Sequence, residues 1–145
     1  MTYHSKKAIV SILTSLLVFL YLFIDIQGAG SAGVESLPQL WGVFFLKWIV
    51  IEVLAKMVIL IVFNILNRLA TREAEPSFAD ERDRMIELKA VRNFCFMFSF
   101  GFFVAMGALA IHQPLSVMFN TLAIDFFLSG LVLNLSYIFY YQRGF

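Results

Sequence analysis

With 145 residues, 61% of them hydrophobic, 17% aromatic and only 14% charged, the chain lies outside the composition of a soluble domain, which carries roughly 25% charged residues. A mean hydropathy of +0.84 reflects apolar runs of about 20 residues or more, the length a helix needs to cross ~30 Å of hydrocarbon, so a single membrane-embedded domain over residues 1–145 is expected. The net charge of +1 argues against a nucleic-acid partner, since no basic face remains once the charges are assigned to their segments, and the lone Cys95 excludes an intrachain disulfide or a CxxC redox or zinc arrangement.

The first run, about 8–27, follows Lys6 and Lys7 and ends near Asp25. Its flanks fit a signal peptide, with the small residues of 28–33 as a cleavage region; its length is nearer 20 residues than the 7–15 of a secretory core, which favours an uncleaved span. A loop over 28–39, containing Glu35 and Pro38 but no Lys or Arg, leads to the second run, about 40–66. This run opens with Trp41 and Trp48 and contains three ionisable groups, Lys47, Glu52 and Lys56; Asn64, Asn67 and Arg68 mark its exit.

The segment 67–92 holds six basic and six acidic residues. Pro76 breaks any helix continuing from the second run, and Asp80 is placed to cap a new one, with Glu81 and Asp83 in its first turn to meet the dipole. Asp80 with Arg84, and Arg84 with Glu87, stand at surface ion-pair spacing. Met85, Leu88 and Arg92 make a narrow half-apolar stripe suited to the membrane surface or another helix. The third run, about 91–111, continues from that helix. Phe94, Phe96, Phe98, Phe100 and Phe102 alternate like a strand, but a lone strand in lipid leaves its backbone unsatisfied, so a helix is expected. Gly101, Ala105 and Ala108 form a small-residue stripe that lets another helix approach closely.

After a turn at His112, Gln113 and Pro114, the fourth run, about 115–141, carries Asn120, Asp125, Ser129 and Asn134 and ends in an interfacial belt of Tyr137, Tyr140 and Tyr141 before Arg143. Nine basic residues fall on one side of a four-crossing chain and none in the two other loops, so both termini and residues 67–92 are expected in the cytosol. The expected fold is all-α, a polytopic four-helix bundle of two transmembrane hairpins with a cytosolic amphipathic helix before the third span.

The stretch from Asp80 through Glu81, Arg82, Asp83, Arg84, Ile86, Lys89 and Arg92, running straight into a span, resembles a group of small, uncharacterised bacterial integral membrane proteins of about four spans. Over these few residues the resemblance implies a bacterial inner-membrane location and no particular activity.

A charge at the bilayer centre costs about 2.5–3.5 kcal/mol on insertion scales, so the charges present should face the bundle and find partners. Glu52 and Asp125 lie near the middle of their runs, and Lys56 is one turn from Glu52 on the same face. Thr121, Asp125, Ser129 and Ser136 share a face of the fourth run. Glu52, Lys56 and Asp125 are therefore expected to meet at one level, as a structural tie between helices, as a proton, ion or solute site, or as a surface filled by a partner from outside. Asp25 and Lys47, in the outer halves of their spans, either pair or separate, with Lys47 snorkelling to the interface. His4 and His112 fall at opposite faces and cannot share a ligand.

No catalytic motif is present, and Glu52 with Asp125 is a weak candidate for an aspartyl dyad. No cofactor or metal is expected. Two function classes stay open. One is a non-enzymatic accessory or regulatory membrane protein, self-associating or bound to another membrane protein, with Asp80, Arg84, Glu87 and Lys89 on the contact helix. The other is a minimal proton- or ion-coupled transporter or channel lined by Glu52, Lys56 and Asp125.

Overall fold

The structure, a computed structural model, describes residues 3–29, 37–71 and 81–143, without the side chains of residues 3–5, 29, 67, 68, 70 and 71. Asp80, Glu35 and Pro76 and the side chains of His4 and Arg68 thus lie outside the described residues. Four helices account for the rest: α1 (Tyr3–Ala29), α2 (Leu37–Thr71), α3 (Glu81–Ala110) and α4 (Leu115–Arg143). Each is long and apolar enough to cross a membrane.

Two boundaries differ from the sequence reading. Pro38 belongs to the first turn of α2 rather than to a loop, a position where the missing N–H would have no intrahelical partner in any case. At its other end α2 runs to Thr71, past Asn64 and Asn67, because backbone hydrogen bonding continues after the apolar stretch ends. At 35 residues it spans about 52 Å, more than hydrocarbon alone accommodates.

The turn from α3 into α4 closes without glycine. Gln113 N donates to Ala108 O and His112 N to Leu109 O, both at 3.1 Å, the paired bonds of a Schellman cap. His112 takes the left-handed backbone at the centre of that cap (φ 61°), and Pro114 follows where a helix could not continue.

α1 packs between α2 and α4, α3 packs along α4, and α2 reaches α4 at a few aromatic contacts; α2 and α3 do not touch among the described residues. Lipid tails are as apolar as these side chains, so shape and dispersion rather than burial from water hold such contacts. Phe19 of α1 stacks on Phe127 of α4 at 4.3 Å and tilts against Trp48 of α2 at 5.1 Å. Trp41 stacks on Phe119 at 5.7 Å. Phe126 meets Trp48 edge-on at 5.2 Å and receives Phe94 and Phe98 of α3 at 6.3 and 6.1 Å. It is thus a ring through which α2 and α3 both bear on α4, and pairs of this kind contribute about 0.5–1.5 kcal/mol each.

These contacts also set levels. Trp41 against Phe119 and Trp48 against Phe126 place α2 and α4 parallel, with Glu52 level with Gly130. Phe19 against Trp48 and Ser15 against Glu52 place α1 and α2 antiparallel, with Asp25 level with Gly42.

Candidate functional site

Glu52 sits where α2 faces α1. Lys56, one turn along, lies 2.8 Å from its Oε1, and the Ser15 hydroxyl of α1 donates to the same oxygen. The acid, N-terminal to the base at i,i+4, has the favourable orientation for a helical pair, and Ser15 converts that pair into a tie between two helices. The second oxygen, Oε2, is buried and meets no hydrogen-bond partner. Lys56 keeps a third of its side chain exposed, but within a span that surface faces lipid rather than water, so the exposure does not rehydrate the pair.

Asp125 belongs to a different seam. Only 4% exposed, it lies directly against Gly101 of α3: a Cβ built on Gly101 would stand 2.6 Å from Asp125 Cβ and closer still to the carboxyl carbon. Gly101 and Ala105, both buried, open the surface of α3 at this point, and the acid occupies the space a side chain would fill. The Ser129 hydroxyl one turn on lies close enough to act on the carboxyl, but neither carboxyl oxygen nor that hydroxyl meets hydrogen-bond geometry with a described partner. The carboxyl therefore makes no ion pair with Lys56.

The structure brings Glu52 and Lys56 together and sets Asp125 apart. The shared level expected from sequence is not observed: Glu52 aligns with Gly130, five residues and so about 7.5 Å along the axis from Asp125, and the two acids face different neighbours, α1 and α3. Asp25 and Lys47 line one groove between α1 and α2, with Leu22, Val43 and Phe44, and no ion pair joins them among the described residues.

The first turns of α3 form a third arrangement. Ile86 (2% exposed) and Ala90 are buried against the rest of the chain. Tyr141 donates to Asp83 Oδ1 at 2.9 Å, and Asn93 donates to Ser136 and to the Tyr140 hydroxyl at 3.0 and 3.3 Å. Lys89 turns inward, its ammonium 5.7 Å from the Tyr140 ring centre, at cation–π range. Arg84, Met85, Glu87, Leu88 and Arg92 remain exposed on the opposite side. Of the expected contact residues, Arg84 and Glu87 therefore face outward, Lys89 belongs to the α4 seam, and Asp80 is not described.

Other polar groups in the spans are satisfied locally. Thr14, Asn120, Thr121 and Asn134 each donate to the carbonyl four residues back, and Gln27 donates to Asn120 at 2.7 Å, a cross-tie from α1 to α4. A cavity of about 280 Å³ opens between Lys7 and Ser11 of α1, Leu60 of α2 and Asn134, Tyr137 and Tyr141 of α4; neither Glu52 nor Asp125 lines it. Among the described residues no group of three or more His, Cys, Asp and Glu could hold a metal ion. Cys95 is exposed and unpaired in a disulfide, and His112 is exposed in its turn.

Reasoning from sequence missed Ser15, Gln27 and Asn93, side chains that tie neighbouring helices. A hydroxyl on α1 at the depth of Glu52 was a usable signal for the first. Nothing in the local pattern marks Asn93.

Fold and site together define an all-helical protein whose four helices are each able to cross a membrane, with acids at two separate helix seams. Comparison with protein-family models, with characterised proteins and with solved structures finds no match.

Proposed function

We propose that the chain is a non-enzymatic accessory or regulatory protein of the bacterial inner membrane, acting through helix–helix contacts and the first turns of α3. The nine-to-zero distribution of basic residues supports a cytosolic side for both termini and residues 67–92, with α1 and α2, then α3 and α4, as successive hairpins. The partner is another membrane protein or a second copy of this chain.

One observation carries this reading. Ile86, Ala90 and the Asp83 to Tyr141 bond clamp one side of α3, so Arg84, Glu87 and Leu88 (66% exposed) are held outward as a fixed array of charge and apolar surface. Such an array is preorganised for a partner, which lowers the ordering cost of association. The Glu52 charge is meanwhile offset within the chain by Lys56 and needs no solute.

Pull-downs of wild type, Arg84→Glu and Leu88→Glu from cells test the array, with Phe103→Leu on the exposed apolar face of α3 as control. Loss of the same partners in both charge variants but not in the control is expected. An identical partner set in all four removes the proposed contact helix.

The buried oxygens of Glu52 and Asp125 that lack partners favour a second reading, a minimal proton- or ion-coupled transporter or channel. The first is preferred because the two acids stand at different levels and face different seams, so no chain of exchanging groups connects them among the described residues.

A further inference from the structure

The groove between α1 and α2 brings one carboxylate and one ammonium together without joining them. Asp25 and Lys47 are both exposed and both line a cleft of about 100 Å³ floored by Leu22, Ile26 and Phe44 and edged by Leu40 and Val43. No described group pairs with either. Opposite charges left open across an apolar floor are complementary to a ligand bearing the reverse arrangement.

Their common level narrows the ligand. Asp25 stands level with Gly42, and the Lys47 backbone lies five residues, about 7.5 Å, deeper; its stem runs outward along apolar surface as snorkelling lysines do and brings the ammonium up toward the carboxylate. In a phospholipid with an ethanolamine headgroup, the phosphate and the primary ammonium lie roughly side by side in the plane of the membrane. Lys47 thus meets phosphate while Asp25 meets ammonium.

We propose that this groove is a binding site for one phospholipid whose headgroup carries both a phosphate and a primary ammonium. Choline headgroups offer the phosphate but no N–H donor for Asp25. Glycerol headgroups offer no cation at all. The site is independent of the contact helix on α3 and stands or falls separately from the accessory role.

The test is native mass spectrometry of the full chain after delipidation and exposure to an equimolar mixture of dioleoyl phosphatidylethanolamine, phosphatidylcholine and phosphatidylglycerol. Wild type is expected to retain the ethanolamine lipid about fivefold over each of the others, the discrimination one partly exposed ion pair supplies. Asp25→Asn and Lys47→Met should each abolish the preference, while Lys47→Arg and the distant Arg84→Ala keep it. Equal retention of the three lipids by wild type overturns the proposal whatever the variants do. So does preference for phosphatidylglycerol, which would mean that Lys47 acts alone, or a preference that survives both Asp25→Asn and Lys47→Met.

Discussion

Replacing Gly101 with alanine is the most discriminating change for the α3–α4 seam. The added methyl would lie 2.6 Å from Asp125 Cβ, well inside van der Waals contact. Rotation of the Asp125 side chain can move its carboxyl but not its Cβ, so the helices must separate or shift in register. Overpacking of this kind costs about 1–3 kcal/mol, and a clash with an atom next to the backbone belongs at the upper end, about 3 kcal/mol. Asp125→Gly removes that Cβ together with two buried carboxyl oxygens that lack hydrogen-bond partners; the gain of up to about 2 kcal/mol is offset by about 1 kcal/mol for glycine inside a helix. In that background the Cβ contact is gone, and Gly101→Ala should cost under about 1 kcal/mol, a coupling of about 2 kcal/mol between the sites. Reversible unfolding in dodecyl maltoside titrated with sodium dodecyl sulfate, followed by circular dichroism, measures all four proteins. Gly101→Ala tolerated within about 0.5 kcal/mol, or equally costly with and without Asp125, would refute the close approach.

The same unfolding assay checks the other seams. Glu52→Gln leaves Lys56 without its charge partner and should destabilise by about 3 kcal/mol, as for a buried pair, because the exposed part of Lys56 faces lipid and is not screened by water; Lys56→Met added to it should recover most of the loss. Asn93→Ala removes bonds to Ser136 and Tyr140 and should cost about 1–2 kcal/mol. His112→Gly should stabilise by about 1 kcal/mol, relieving a left-handed residue at the centre of a cap; any destabilisation argues against that turn. Ile86→Ala should release the start of α3, seen as faster amide hydrogen exchange over residues 81–90 with little change in 101–110.

Helix number was legible because each apolar run is long enough to cross hydrocarbon, and length overruled the alternating phenylalanines: Phe94 and Phe98 share a helical face, stacked at 6.1 Å. Element ends were less legible. Asn64 and Asn67 read as an exit, but polarity marks where lipid ends rather than where a helix does. Lateral direction was partly legible: the stripe of Gly101 and Ala105 and the face of Asp125 and Ser129 are each visible in the sequence, and pairing them would have put Asp125 on α3. Counting residues from the end of each run gave Glu52 and Asp125 similar depths, because it assumes helices with flush ends. The actual levels come from Trp41, Trp48, Phe119 and Phe126, and periodicity does not encode which ring meets which. The inward turn of Lys89 depends on Tyr140, about fifty residues away, and left no local mark.

On the proposed reading, Glu52 with Lys56 ties α2 to α1 through Ser15, Asp125 fills the gap at Gly101, and none of them conducts protons. Proton flux into liposomes containing purified wild type, Glu52→Gln or Asp125→Asn, driven by a potassium diffusion potential and read with an internal pH dye, tests it most directly. All three should match protein-free liposomes. Flux through the wild type that either substitution abolishes would contradict the structural role and favour a conducting protein.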